Sequence, residues 1–412
     1  MSLPPAFNYT MGRLSGCNKN IVKILPQTST SCPANGIITI RLPSNTLINL
    51  NNVCLYFNPK ITVTATNNTN AVLPVLSSSW VSRVQCYCNG IGLYPSSMDQ
   101  YNILYKLLYN AQAGAEFRNT QSLMHQDIRN YTGGSAAGEV MPLTVISDWL
   151  WSKMSPAYID TSLIDVVLEI TLAPNEVLGA SAGTTTAASY SLENLYMTVE
   201  TWSFNSPIYA NLIQKVLSEN GQLEIPYFNF YSYVSSSNQS IRISCNSKNI
   251  NALVGTLRAD TYNNFDTASN GDTRFFKFDK SGITSFQLVI NNMLTPSYPV
   301  NCTDSDTSVY NYVLDQLNDV NNLSAGNSLL FDSVNASPTL AQRRAAFYNH
   351  NFILMHKFSI DDQQRILSGL DGSGNTNIYA NFTGSPTGQT LIFLLLTSVL
   401  KVNASRMVEV EL

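Results

Sequence analysis

Two stretches of the chain repeat one order of features. Val84-Gln85-Cys86-Tyr87-Cys88-Asn89-Gly90 is a strand-like apolar pattern that ends in an Asn-Gly turn. Beyond Pro95 it gives way to Tyr101-Asn102-Ile103-Leu104-Tyr105-Lys106-Leu107, which has helical periodicity. Further along, Phe286-Gln287-Leu288-Val289-Ile290-Asn291-Asn292 leads through Pro296 and Pro299 into Tyr310-Asn311-Tyr312-Val313-Leu314-Asp315-Gln316-Leu317. The two copies lie too far apart for a solenoid, whose units recur every ~20–50 residues. They predict two tandem copies of one domain.

A length of 412 residues fits two or three domains at ~150 residues each, with room for sizeable cores. Charged residues make up only 12% of the chain, about half the usual ~25%. Asn, Ser and Thr fill the gap, and these suit turns and β surfaces better than helices. Weak self-repulsion of this kind suits a chain packed against copies of itself. A net charge of −4 excludes direct coating of nucleic acid, which needs clusters of Lys and Arg to displace counterions. The densest basic points, Lys277 with Lys280 and the pair Arg343-Arg344, read as solvated faces or local ion pairs.

The first half shows strand patterns at Ile21–Leu25, Gly36–Leu42, Leu47–Phe57, Ile61–Ala65, Trp80–Leu93, Val140–Ile146, Leu163–Leu172 and Leu192–Phe204. One helix interrupts them near Met98–Tyr109, with Ser97 and Gln100 placed as a capping box. Glu176–Ser189 reads as a loop, and the boundary between halves falls around Asn205-Ser206-Pro207. The second half gives strands near Leu223–Val234, Ser240–Asn246, Ala252–Arg258, Arg274–Phe278, Ile283–Asn291, Phe352–Ile360, Asn377–Asn381, Thr390–Leu400 and Met407–Leu412. Helices are expected at Ser308–Val320 and Leu340–Tyr348, and Thr261–Asp272 as an exposed excursion. The fold class is therefore all-β: two tandem jelly-roll β-sandwiches with a few short helices in loops. The divisions are residues 1–20 as an N-terminal arm, 21–205 as the first sandwich and 206–412 as the second.

Met1-Ser2-Leu3-Pro4-Pro5 has no basic region followed by an apolar run, so no secretory leader is read. The longest apolar run, Leu391 to Leu396 continuing to Leu400, is far short of the ~20 residues of a spanning helix. It predicts a strand buried on both faces. The cysteines, 7 in number, are scattered. Cys86 and Cys88 share one strand face and do not form a Cys-x-x-Cys pair, so they read as small buried hydrophobes. The Asn-x-Ser/Thr triplets, among them Asn8, Asn238 and Asn403, are expected by chance in so polar a chain.

Chemistry has few carriers. The histidines are His125, His350 and His356, and the last two share no convincing helical or strand face and have no carboxylate soon after. Asp304-Ser305-Asp306 lacks the Gly and terminal Glu of a calcium loop and suits the first turn of the following helix; Asp361-Asp362 has the same explanation. No nucleophile elbow and no phosphate loop is present. No catalytic, cofactor-binding or metal residue is assigned, and no cofactor is expected.

At this point the layout resembles a known family, the double-jelly-roll major capsid proteins of icosahedral DNA viruses. The likeness is carried by Gly36–Pro43 leading into Leu47–Phe57, by Val84–Gly90 with its helix, by Met141-Pro142-Leu143, and by Phe286–Asn292 with the Pro-rich turn and helix behind it. It implies a structural, non-enzymatic virion protein assembled inside the host cell. Three chains would form a pseudo-hexameric capsomer, with neighbouring capsomers, penton and minor or cement proteins as partners and an internal membrane as a further one. Two other classes stay open: an adhesive or carbohydrate-binding β-sandwich pair using Tyr227–Tyr233, and, less well supported, a cupin-like two-domain enzyme.

Overall fold

The computed structural model describes residues 17–64, 71–112, 132–133, 139–154, 156–180, 187–204, 208–236, 238–263, 273–306, 308–317, 339–359, 368–374 and 376–412. Eight strands carry the first half: β1 (Cys17–Ile24), β2 (Ile37–Arg41), β3 (Leu47–Thr64), β4 (Val81–Cys88), β5 (Ile91–Gly92), β6 (Thr144–Ile146), β7 (Val166–Leu172) and β8 (Ala187–Phe204). Eight more carry the second: β9 (Gln222–Ser236), β10 (Ser240–Ile243), β11 (Ile250–Arg258), β12 (Ile283–Ile290), β13 (Met293–Asn301), β14 (Leu354–Lys357), β15 (Ile378–Gly384) and β16 (Gln389–Asn403). Shorter strands lie at Cys32–Pro33, Glu139–Val140 and Tyr158–Asp160 on the edges of the first half, and at Val408–Glu411 beside β16.

The sheet orders are β1-β8-β3-β6 and β2-β7-β4-β5 in the first half, and β9-β16-β11-β14 and β10-β15-β12-β13 in the second. Adding eight to each strand number of the first pair gives the second pair. Every pairing between these strands is antiparallel. β4 and β12, which hold the two repeated sequence stretches, thus occupy the same place in their sheets. Helix α1 (Tyr101–Gln112) lies between β5 and β6, and α3 (Ser308–Leu317) with α4 (Leu340–His350) lies between β13 and β14, the same connection. Helix α2 (Ile208–Asn220) joins β8 to β9.

Corresponding turns agree down to single hydrogen bonds. Asn89 and Asn291 follow β4 and β12 with φ of 50° and 49°, left-handed values that Asn tolerates better than most side chains. Asn89 N–H donates to Asp165 O (2.8 Å) and Asn89 Oδ1 accepts from Asp165 N–H (2.6 Å). Asn291 makes the same pair with Asn377, both at 3.0 Å. Asp165 and Asn377 stand just before β7 and β15, so the reciprocal bond pins corresponding strand ends in each sandwich.

Alternation explains the half-buried strands. In β7 every second residue of Val166-Val167-Leu168-Glu169-Ile170-Thr171-Leu172 is buried. β16 breaks that rule, with all residues from Thr390 to Leu400 buried within a single chain. It runs between β9 and β11, and two of its three buried polar side chains find partners: Ser398 Oγ accepts from Asn229 Nδ2 (3.2 Å) and Thr397 Oγ1 from Asn251 Nδ2 (2.7 Å), while Thr390 Oγ1 has none among the described residues.

Several expectations are corrected. Leu47–Phe57 and Ile61–Ala65 form one strand, β3: Pro59 lacks an N–H, but its carbonyl accepts from Met141 N–H (2.7 Å) and the strand runs through it. The first strand begins at Cys17, inside the stretch read as an arm. The helix near Met98 starts at Tyr101, because Ser97, Met98 and Gln100 all take positive φ, and no capping box forms there. The reciprocal capping box is instead at α4, where Thr339 and Gln342 cap each other. Arg274–Phe276 is a 3-10 turn, with Phe275 and Phe276 both buried, an adjacency a half-wet strand forbids. Gly179–Ala180 is a short strand and β8 starts at Ala187, so the Glu176–Ser189 stretch is only partly loop. The boundary residues 205–207 and most of the 261–272 excursion lie outside the described residues.

Candidate functional site at the seam between the two sandwiches

β9 is the strand that meets the first half. Its register with β16 leaves Tyr227 fully buried, and the Tyr227 hydroxyl donates to Leu93 O at 2.7 Å across the seam. The Tyr227 ring meets Tyr94 edge-to-face, centroids 5.7 Å apart. Tyr94 in turn donates to Trp151 O (2.9 Å). Burial pushes the hydroxyls of both tyrosines well above the ordinary tyrosine range, so both stay protonated donors. Backbone joins in: Phe228 N–H donates to Lys153 O (2.9 Å), Met154 bridges Tyr227, and Ser96 Oγ donates to Phe230 O (2.8 Å). Two asparagines close the ends of the seam, Asn110 Nδ2 to Asn351 Oδ1 (3.2 Å) and Asn89 Nδ2 to Arg406 O (2.8 Å). This is a fixed, apolar-centred junction. The Tyr-rich stretch 227–233 spends its most buried rings here and in the sandwich, with Phe230 edge-on to Phe393 (6.0 Å), and does not display them as a flat binding platform.

Titratable groups elsewhere act as fasteners. Glu200 on β8, 4% exposed, accepts from Asn49 Nδ2 (3.0 Å) and Trp202 Nε1 (2.7 Å) and pairs with Lys19 Nζ (2.8 Å), which clips β1 and β3 to β8. Burial alone would raise its pKa, but the hydrogen bonds from Lys19, Asn49, Asn52 and Trp202 outweigh burial and hold the carboxyl at about 2. His350 ends α4 and His356 sits on β14; burial lowers each to about 4, helped at His350 by Lys277, so both are neutral near pH 7. His356 Nδ1 bonds the Tyr312 hydroxyl. Asp304 and Asp306 lie ahead of α3, whose first turn holds no acidic residue, and not in that turn as expected: Asp306 Oδ1 accepts from Ser308 N–H (2.8 Å), and Asp304 pairs with Lys280 (2.8 Å). Arg343 and Arg344 are exposed on α4, while Cys86 and Cys88 are buried together. His125 and Asp361-Asp362 lie outside the described residues. Among the described residues no group of three His, Cys, Asp or Glu side chains converges to hold a metal, and no helix is long and apolar enough to cross a membrane.

No protein-family model matches the sequence. No curated protein matches it significantly. Solved structures do resemble it. The capsid of PBCV-1 virus aligns over 97% of both chains with a TM-score of 0.61 at 12% identity. The Faustovirus major capsid protein covers 93% of this chain and 90% of its own, TM-score 0.54 at 9% identity. The mavirus major capsid protein covers 100% and 95%, TM-score 0.50 at 11% identity. The fold is the double jelly roll.

Within the double jelly roll, each half supplies two sheets whose four main strands run in matching order, as the repeated sequence stretches led us to expect. Of the seam tyrosines and Trp151, only Tyr227 was singled out from sequence, as part of the aromatic stretch 227–233; Tyr94 and Trp151 were not. Tyr94, Trp151 and Tyr227 are far apart in the chain, and their only advance signal was aromatic size, since large aromatics with a polar tip favour junctions where one atom must find a partner.

Proposed function

We propose that this chain is the structural subunit of an icosahedral viral capsid, a major capsid protein with no enzymatic role. The supporting observation is the doubled strand order together with the fixed seam: a rigid pair of near-equivalent jelly rolls gives six similar lobes when three chains close into a ring. The division we propose is a first jelly roll that opens with β1 at Cys17 and runs to residue 205, and a second over 206–412. Each first jelly roll packs on the second of the next chain, forming a homotrimeric, pseudo-hexameric capsomer. Edge strands offer apolar side chains for such contacts, with Ile21 on β1 at 65% exposure and Met293 on β13 at 69%. Neighbouring capsomers, penton and minor or cement proteins, and an internal membrane are the partners of this reading. Its place is the virion, after assembly in the host cell. It involves no sequence-specific contact with nucleic acid.

Light scattering and negative-stain electron microscopy of the full-length protein test this. A stable trimer with a six-lobed outline is the expected result. A soluble monomer at micromolar concentration would overturn it.

A further inference from the structure

A cavity of about 310 Å³ lies between the two jelly rolls, with Gln100 and Glu176 of the first half and Arg258, Tyr262 and Phe275 of the second on its walls. Arg258 ends β11 and is only 3% exposed. It is held in place from several sides. Its Nε donates to Gln389 Oε1 (3.0 Å), and its guanidinium lies 3.7 Å from the centroid of the Tyr262 ring and 4.9 Å from that of Phe275. Tyr262 is steadied by Gln389 Nε2, which donates to its hydroxyl (3.3 Å), and by the edge of Phe275 (6.0 Å).

Among the described residues Arg258 meets no anion: it makes no ion pair, and its Nη1 has no hydrogen-bond partner. Glu176, contributed by the 3-10 turn Asn175–Val177 of the other half, makes no ion pair among them either. A buried cation without a counter-charge is costly, and such groups in proteins are normally paired. Burial lowers the Arg258 pKa to about 10, which leaves it charged at neutral pH. The other donors on the wall point to the same chemistry. The Gln100 side-chain amide makes no hydrogen bond to a described residue, and the Tyr262 hydroxyl, which accepts from Gln389, keeps its own proton to give.

We propose that this cavity binds a small protonated oxyanion of the phosphate class. Arg258, Gln100 and Tyr262 donate to its oxygens, and the Glu176 carboxylate accepts the ligand's own O–H. The carboxylate sets the selectivity. Sulfate, which carries no proton at neutral pH, would bring two acceptors together at Glu176, whereas hydrogen phosphate brings a donor. A zwitterion such as glycine fits less well, because its ammonium needs several acceptors and the wall is richer in donors.

Isothermal titration of the full-length protein at low ionic strength with inorganic phosphate, sulfate and glycine tests the assignment. Phosphate is expected to bind, with sulfate weaker by about tenfold or more. Arg258→Gln should weaken phosphate by about tenfold or more, with its fold checked by circular dichroism. Glu176→Gln should bring sulfate close to phosphate, and this variant decides the matter if Arg258→Gln does not fold. The proposal is overturned if the wild-type protein fails to bind phosphate, if it binds phosphate and sulfate equally, if glycine binds in preference, if folded Arg258→Gln binds phosphate as tightly as wild type, or if Glu176→Gln leaves the phosphate-to-sulfate ratio unchanged.

Discussion

Gln85 and Gln287 stand at corresponding points of β4 and β12, and the side-chain Nε2 of each donates to the backbone carbonyl nine residues on, Tyr94 O and Pro296 O, at 2.9 Å in both cases. Gln85 ties β4 to the chain just beyond β5, and Gln287 ties β12 to β13. Together with the Asn89 and Asn291 brackets, the two halves share side-chain bonds as well as strand order, which is more than a common topology demands.

The two glutamines differ in one respect, and that yields a prediction. Gln85 Oε1 also accepts from Tyr94 N–H (3.2 Å), whereas Gln287 makes a single bond, to Pro296 in β13. Gln85→Ala should cost about 1–3 kcal/mol by leaving two backbone groups without partners, and Gln287→Ala about 0.5–1.5 kcal/mol. Urea titration of the two variants checks the order. A more damaging Gln287→Ala would contradict it.

Acid should release the first strand. The Glu200 carboxyl sits at about 2 in the folded chain, below the ordinary ~4.3 of a free glutamate. A lowered carboxylate pKa stabilises the fold above its unfolded value, and that contribution is lost as pH falls from about 4.5 towards 2. The wild-type melting temperature should therefore drop through this window more steeply than that of Glu200→Gln, which carries no titrating group there. Parallel curves for the two proteins would remove Glu200 from the account of acid stability.

The seam offers a test of coupling between the halves. Tyr227→Phe keeps the ring against Tyr94 and removes only the hydroxyl that donates to Leu93 O. The orphaned buried carbonyl should cost about 1–3 kcal/mol. Hydrogen exchange should rise at the amide of Phe228, which bonds Lys153 O across the same junction, before it rises in β11 or β15. Unchanged exchange at Phe228 would mean that the tyrosine does not hold the seam.

Periodicity made the paired strands legible, because alternation in β7 and the unbroken apolar run of β16 report burial directly. Prolines misled in two places. Pro296 and Pro299 suggested a turn, yet they lie in β13, an edge strand where one side needs no N–H donor. Pro59 suggested a break inside β3. Helix α2 went unread beside Pro207, although Leu212, Ile213, Val216 and Leu217 carry helical spacing. The cavity was illegible for a different reason: Arg258 and Glu176 come to line one space only when two halves dock, and no local pattern encodes that.

The apolar run supplies the sharpest test of the fold. Leu395 on β16 faces Phe230 on β9 and Ala252 on β11, is 9% exposed, and sits among residues buried on both faces without help from a second chain. Leu395→Asp would place a charge where no cation is paired to meet it, at a cost of about 4 kcal/mol or more, comparable to much of a domain's stability. Leu395→Met, which keeps the volume, should cost less than about 1.5 kcal/mol. The expected outcome is that the aspartate variant is insoluble or unfolded while the methionine variant melts within a few degrees of wild type. If the aspartate variant melted normally, Leu395 would have to face solvent, and the central position of β16 between β9 and β11 would be wrong.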